Sequence, residues 1–389
     1  MSLGMMVVAA LWMGLAVLSS MIARHLKVAN ALVEIIVGIV AGTVAGRFAG
    51  REALGAREPW LVFLAGAGAV VLTFLAGAEL EPESLRRSWK EVLVVGFISF
   101  LVPFLGCAMV ARYVLHWAPN ASWLAGVALS TTSMAVVYAV LLELGYNLTA
   151  YGKAILGACF VTDLGTVIAL GLLFAPFTSR TLIFAGALTA AFLTLPALTR
   201  RITARYAYKT AAIRTKWVLC ALFGLGALAI WAGSEAVLPA YLVGMALAGT
   251  ITKDDHFMRR IRTLTVGFLT PFYFLRAGTF VSLHALLAAP LAFLVLFGGK
   301  IITKLFGLLP VVGQFRRERK ERWYYTLLMS TGLTFGSISA MYGLTHGIIS
   351  QDQYSYLVAV VIASAVVPTL IANAVFAPKH LLKAKTEIE

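Results

Sequence analysis

One stretch limits this chain more than any other: Ala154-Ile-Leu-Gly-Ala-Cys-Phe-Val-Thr162-Asp163-Leu-Gly165-Thr166-Val-Ile-Ala-Leu-Gly171. It is a long apolar segment with one ionisable side chain, Asp163, near its middle. A carboxylate at the centre of a membrane helix costs about 2.5–3.5 kcal/mol on insertion scales, so such residues face a cavity or a partner and mark a route for ions or protons. Thr162 adds a hydroxyl beside it, and Gly157, Gly165 and Gly171 let other helices approach closely. The bland alternative is an interhelical hydrogen bond with no transport role.

The rest of the chain agrees with a bilayer setting. It is 60% hydrophobic over 389 residues, with a mean hydropathy of +0.89, more apolar surface than a soluble fold of this length can use. A formal net charge of +15 invites a nucleic-acid reading, but the basic residues sit between apolar runs and no aromatic-basic face accompanies them. Cys107, Cys159 and Cys220 lie far apart inside apolar segments, which argues against a disulfide framework and a zinc motif. No transition-metal site and no cofactor is expected. All six histidines fall at or near segment ends. The N-terminal apolar run lacks a basic leader and is followed by Arg24, His25 and Lys27, so it reads as a first membrane helix with its N-terminus outside.

The hydropathy pattern predicts an all-α polytopic membrane protein of about thirteen spans: 3–23, 28–46, 59–80, 90–115, 121–142, 151–175, 181–199, 214–234, 237–251, 262–282, 286–309, 323–345 and 354–377. The ninth is short for a span. With the N-terminus outside, predicted cytoplasmic segments hold 24 of the 32 Lys+Arg and predicted external ones hold 5: Arg47, Arg51, Arg57, Arg112 and Arg180. Arg276, Lys300 and Lys304 remain within the membrane. A missed helix would scramble this alternation, so the N-out, C-in topology is expected. The basic clusters Arg200 to Lys216 and Arg316 to Arg322 read as orientation determinants, with anionic-lipid contact as a secondary reading.

An odd count suits two inverted six-helix repeats, about 1–176 and 214–377, joined by a linker helix at about 181–199 within a membrane domain 1–376, with a cytoplasmic tail at 378–389. The fifth span carries Ser130-Thr131-Thr132-Ser133 at mid-depth, and the twelfth carries Ser330-Thr331-Gly332-Leu-Thr334 at the equivalent place. Paired polar or Gly-rich interruptions of this kind point to a site built from broken helices, whose unwound backbone is tolerated only where protein or water satisfies it. Hydroxyls bonding back to the preceding turn are the structural alternative.

Asp163 would then supply negative charge, and the breaks would supply half-helix dipoles, hydroxyls and carbonyls: the oxygen ligands a small hard cation needs. A carboxylate that holds a cation or a proton, but not both, enforces exchange. Lys300 and Lys304 lie four apart on one helix face. One of them pairs with Asp163 or neutralises it when empty; snorkelling and interface packing are the alternatives. Arg276 stays charged in a protein, and Glu34 or Glu79 are its candidate partners in structural ion pairs.

Four fragments carry a family resemblance: Val33-Glu34-Ile-Ile-Val-Gly38-Ile-Val-Ala-Gly42, Phe74-Leu-Ala-Gly77-Ala-Glu79-Leu-Glu81-Pro82, Ala128-Leu-Ser-Thr131-Thr132-Ser133-Met-Ala135, and Leu142-Glu143-Leu-Gly145. In this order and spacing the chain resembles the monovalent cation/proton antiporter superfamily, in the branch of Kef-type potassium/proton and NapA-type sodium/proton antiporters. The resemblance covers nearly the whole chain. It implies a core of helices four to six and eleven to thirteen that shifts, elevator-like, against a dimerising panel of helices one to three and eight to ten. It also implies that Asp163 takes the place of the essential carboxylate and that Lys304, with Lys300 as the rival alignment, takes that of the core lysine. Two departures matter: Thr162-Asp163 stands where the family often has Asp-Asp or Gln-Asp, and Thr331-Gly332-Leu333-Thr334 stands where Kef-type members often have Arg-Gly-Glu. The first favours one-for-one exchange unless a lysine also titrates; the second weakens transfer of potassium selectivity. The expected protein is a Na+- or K+-for-proton antiporter and not an enzyme, a homodimer in a prokaryotic plasma membrane, with Thr131, Thr132, Ser133 and Thr162 assisting Asp163. The rival is a sodium-coupled organic-anion carrier of related crossed-helix design.

Overall fold

A computed structural model describes residues 3–26, 29–48, 50, 54–78, 88–143, 145–146, 149–174, 178–206, 212–234, 236–251, 254–378 and 381. Glu79, one candidate partner of Arg276, lies outside them. Among the described residues there are helices and no strands.

In chain order the helices are α1 (Leu3–Leu26), α2 (Asn30–Phe48), α3 (Pro59–Ala78), α4 (Trp89–Met109), α5 (Pro119–Ser130), α6 (Met134–Glu143), α7 (Ala150–Phe174), α8 (Ser179–Tyr206) and α9 (Ile213–Trp231). They continue with α10 (Val237–Ile251), α11 (Asp255–Leu264), α12 (Thr270–Thr279), α13 (Leu283–Ala288), α14 (Pro290–Phe315), α15 (Arg319–Met329), α16 (Thr334–Thr345) and α17 (Gln351–Ile371). Single π-helical turns extend α4 (Val110–Val114) and α17 (Ala372–Phe376) and join α11 to α12 (Thr265–Leu269). By length and composition, ten helical segments among the described residues suffice to cross a membrane. The count of thirteen also required the interrupted segments 119–143 and 255–279 and the 15-residue α10.

Local chemistry sets many of the ends. Pro119 and Pro290 open α5 and α14, where a missing N–H costs nothing. Ser350 and Gln353 form a reciprocal capping box at the start of α17. The Asp254 side chain accepts from the Phe257 N–H at 3.0 Å to cap α11. That helix buries Phe257, Met258 and Ile261 and exposes Arg259, Arg260 and Arg262, so its amphipathic face follows directly from the sequence period.

The chain groups into two compact units, 1–54 with 83–166 and 274–389, and 55–82 with 167–273. In the first, α1 and α2 group with the helices around Asp163 rather than apart from them. Its core includes Val95, Met134, Tyr151, Ile155, Cys159, Leu308, Tyr324, Tyr325 and Met329. In the second, Val71, Phe74, Val218, Leu222, Val243 and Leu247 form the centre. All three cysteines are free thiols.

Two glycine pairs explain part of the motif signature. A Cβ on Gly38 would strike the Leu275 carbonyl, and one on Gly278 would strike that of Ile35, so α2 and α12 touch backbone to backbone within the first unit. Gly77 and Gly244 do the same for α3 and α10 within the second. Small residues in membrane helices allow this approach. Gly38→Leu is therefore expected to destabilise the fold by about 1–3 kcal/mol or more through overpacking, read as a lower midpoint of heat unfolding in detergent.

A seam of small side chains sets α4 against α14. Gly106 faces Thr303, Gly307 faces Val102 and Gly299 faces Val110, an antiparallel register of four-residue steps. This close packing brings Lys300 and Lys304 into the interior of the first unit, where both are fully buried.

Candidate functional site

The site lies within the first unit, where two helices break and their unwound segments meet. α5 stops at Ser130 because Thr131 turns to an extended conformation (φ −60°, ψ 152°), and α6 begins three residues later. α15 stops at Met329, and α16 restarts at Thr334 after Leu333 (φ −154°, ψ −70°). The Ser133 N–H donates to the Thr331 carbonyl at 3.2 Å, so one unwound segment satisfies the other. The Thr331 hydroxyl lies 3.4 Å from the same N–H.

The hydroxyls at both breaks are employed alike. Ser130 donates to the Val127 carbonyl at 2.9 Å and Thr131 to that of Ala128 at 3.2 Å. Ser330 donates to Thr326 and Thr331 to Leu328, both at 2.8 Å. These four side chains therefore quench carbonyls left open where a half-helix ends. The Ser133 Oγ accepts from the Val136 N–H at 3.4 Å, which caps α6. Thr334 is the buried first residue of α16. What the breaks leave for a ligand is mainly lone pairs and dipoles.

The lysines separate in role. The Lys304 ammonium donates to Ser99 Oγ at 2.8 Å and to Thr132 Oγ1 at 3.0 Å. Thr132 passes the chain on, donating to the Met329 carbonyl at 2.8 Å. Lys304 thus ties α4, the first break and the end of α15 to α14. Lys300 reaches the other side of the crossing, 3.5 Å from the Thr131 carbonyl. A Cβ on Gly332 would collide with its Nζ and would lie 3.1 Å from the Thr131 hydroxyl and 3.3 Å from that of Ser364. A glycine at 332 is what makes room for an ammonium between the breaks.

Asp163 sits on α7 with 2% of its surface exposed. Its Oδ1 is buried and has no hydrogen-bond partner among the described residues. The direct lysine–carboxylate pair expected from sequence is not formed here: both ammonium groups spend their hydrogen bonds on hydroxyls and a carbonyl. Lys304 carries its charge on Ser99 and Thr132 without a bond to Asp163. Thr162 turns toward α4, donating to the carbonyls of Ala158 at 3.0 Å and Gly96 at 3.2 Å. Arg276 lies outside this constellation, its guanidinium 4.9 Å from the Phe280 ring centroid, and Glu34 is buried on α2.

Ser99 is the residue that the sequence reading passed over. It had a local sign. Pro103 stands four residues on inside α4 and has no N–H to give the Ser99 carbonyl. Ser364 and Pro368 repeat this spacing in α17, where the Ser364 hydroxyl, like the Lys300 ammonium, lies beside Gly332. A serine followed by proline at i+4 in mid-span offers both a hydroxyl and a released carbonyl.

Thr132→Val removes one of the two acceptors of a fully buried ammonium and leaves the Met329 carbonyl without that donor. The expected cost is about 1–3 kcal/mol for the unsatisfied group, measured as reduced thermal stability of the purified protein. Thr132→Ser should restore most of it.

A family model described as "Sodium/hydrogen exchanger, transmembrane" matches residues 13–377. The "Probable Na(+)/H(+) antiporter 3" of Methanocaldococcus jannaschii is 26% identical over 342 residues, covering 84% of this chain and 86% of that protein. The "Glutathione-regulated potassium-efflux system protein KefC" of Shigella sonnei is 24% identical over 72% of this chain, which spans only 46% of that longer relative. Among solved structures, the sodium proton antiporter MjNhaP1 from Methanocaldococcus jannaschii at pH 8 superposes with a TM-score of 0.68, covering 98% of this chain and 99% of the other at 16% identity. That likeness establishes the fold.

Proposed function

Because the chain belongs to the sodium/hydrogen exchanger family, we propose that it is a monovalent cation/proton antiporter in which cation and proton compete for Asp163. The observation that carries this reading is the buried Asp163 carboxylate, whose Oδ1 has no partner among the described residues, in the same unit as two helix breaks that satisfy each other. A carboxylate so placed needs a positive partner from solution, and Na+, K+ or a proton each meets that need.

The cycle has four steps. Asp163 takes the cation, with oxygens of the first break, Thr132 foremost, completing its shell. The core carries the loaded site to the opposite face. A proton displaces the cation from the carboxylate. The protonated core returns. Lys304 stays anchored on Ser99 and Thr132 and sets the field in which the two ligands compete. With one carboxylate in the site, exchange is one for one unless a lysine also gives up its proton. The bilayer is the solvent, with the N-terminus outside, the C-terminus in the cytoplasm, a prokaryotic plasma membrane as the location and a homodimer as the working state.

The test is proton movement in proteoliposomes. A pH-sensitive dye follows an imposed proton gradient while Na+, K+ or Li+ is added. Dissipation by one of these names the cation. No response to any, together with sodium uptake driven by an organic anion, would replace the antiporter by the carrier alternative.

A further inference from the structure

The cycle above gives no role to a charged cluster at the common end of the helices that build the site. Glu91, in the first turn of α4, has both oxygens engaged by one guanidinium: Arg316 Nε donates to Oε1 and Nη2 donates to Oε2, each at 2.8 Å. Arg316 follows directly on α14 and lies with Cζ 5.2 Å from the ring centroid of Tyr151, in the first turn of α7. The Tyr151 hydroxyl donates to the Glu321 carbonyl at 2.7 Å, in the first turn of α15. Tyr325 returns the link from α15 to α7, donating to the Ala154 carbonyl at 3.2 Å. The pair is sheltered, with side-chain exposures of 20% for Arg316 and 9% for Glu91.

These four helices are the ones that carry Ser99, Lys304, Asp163 and Met329. At 1.5 Å per residue the cluster lies about 12–18 Å along them from the site. The seam between α4 and α14 seats Val102, Thr303 and Val110 against Gly307, Gly106 and Gly299. These contacts set the spacing of the two helices, and the Glu91–Arg316 pair adds a directional tie at their common end. A bidentate guanidinium held on an aromatic face is directional in a way that a point charge is not. A partly exposed ion pair contributes little to stability by itself, so its value here is geometric.

We infer that Arg316 and Glu91 are positioning residues for the cation site. They lock the register of α4 against α14 and thereby hold Lys304 on Ser99 and Thr132, which sets the charge felt at Asp163. The inference rests on the antiporter reading and adds to it a residue pair outside the ligand's reach.

The experiment compares wild type, Glu91→Gln, Arg316→Lys and the charge exchange Glu91→Arg/Arg316→Glu in the dye assay, using the cation that drives wild-type exchange. In parallel, the concentration of that cation needed to raise the unfolding temperature is measured in detergent, which reads binding without transport. Glu91→Gln is expected to raise KM and the stabilising concentration about tenfold, the usual scale for losing an outer-shell support, with kcat changed by less than about twofold. Arg316→Lys should fall between, and the charge exchange should return KM part of the way to wild type. A fall in folded protein with KM unchanged would make the pair merely structural and overturn the inference. So would a rise in kcat with KM unchanged, the mark of a contact that must open during the cycle. Wild-type protein that moves no protons with any cation defeats the antiporter reading itself and is recognised before any variant is compared.

Discussion

Asp163→Asn is expected to abolish cation-driven proton movement to background while leaving the protein folded and at least as heat-stable as wild type. Both halves follow from the same observation. Oδ1 of Asp163 makes no hydrogen bond among the described residues, so the substitution breaks no native contact through that atom. It also removes a group whose ionised form is costly to bury. A carboxamide neither exchanges a proton near neutral pH nor neutralises a bound cation, so both ligands lose their site together. A purely structural aspartate would show the reverse: lost stability and retained exchange. The measurements are the dye assay and a thermal unfolding midpoint on the same preparation.

Lys304→Met is expected to have the second-largest effect. The ammonium is fully buried and held by Ser99 and Thr132. Removing it leaves two hydroxyls 3.5 Å apart that can satisfy each other, so the fold should tolerate the change better than most losses of a buried charge. The functional effect is electrostatic. A nearby positive charge weights the competition between cation and proton for a carboxylate, so its loss should shift the pH profile of exchange by on the order of one unit and lower activity at neutral pH. Lys304→Arg should not restore the wild-type profile, because a planar guanidinium does not fit the place of a compact ammonium. A profile unchanged in Lys304→Met would show that the lysine does not act on the carboxylate.

The sequence was most informative where physics leaves one solution. Apolar runs of span length form helices, and the described helices follow the expected limits within a few residues for α1 to α3, α7, α9 and α10, while α8 runs seven residues past its expected end at 199. The breaks at 131–133 and 330–333 were legible because two polar interruptions at matched positions are costly unless they meet. Lys300 and Lys304 were legible as interior residues because four-residue spacing puts both on one face.

Pairings were not legible in the same way. Neither lysine bonds Asp163, since hydroxyls from α4 and the first break claim Lys304 first, and no one-dimensional pattern ranks those competing acceptors. Thr162 stands beside Asp163 in sequence, but one residue of helix is about 100° of rotation, enough to turn its hydroxyl toward Gly96 on α4. Gly38 and Gly77 belong to the signature fragments, and their physical content is the backbone contact each makes with a helix about 170–240 residues away in sequence. In sequence Arg316 stands in a basic cluster that reads as an orientation determinant, and its partnership with Glu91 depends on the α4–α14 register.

The central claim is that cation and proton compete for one carboxylate, and the dependence of KM on pH tests it most directly. Exchange is measured at a series of cation concentrations from acid to alkaline pH in proteoliposomes with saturating counter-gradient. Competition for a single site requires the apparent KM for the cation to rise about tenfold for each unit of falling pH on the acid limb, with one maximal rate throughout. An apparent KM that stays constant while the maximal rate changes with pH would place the proton on another group and contradict the account.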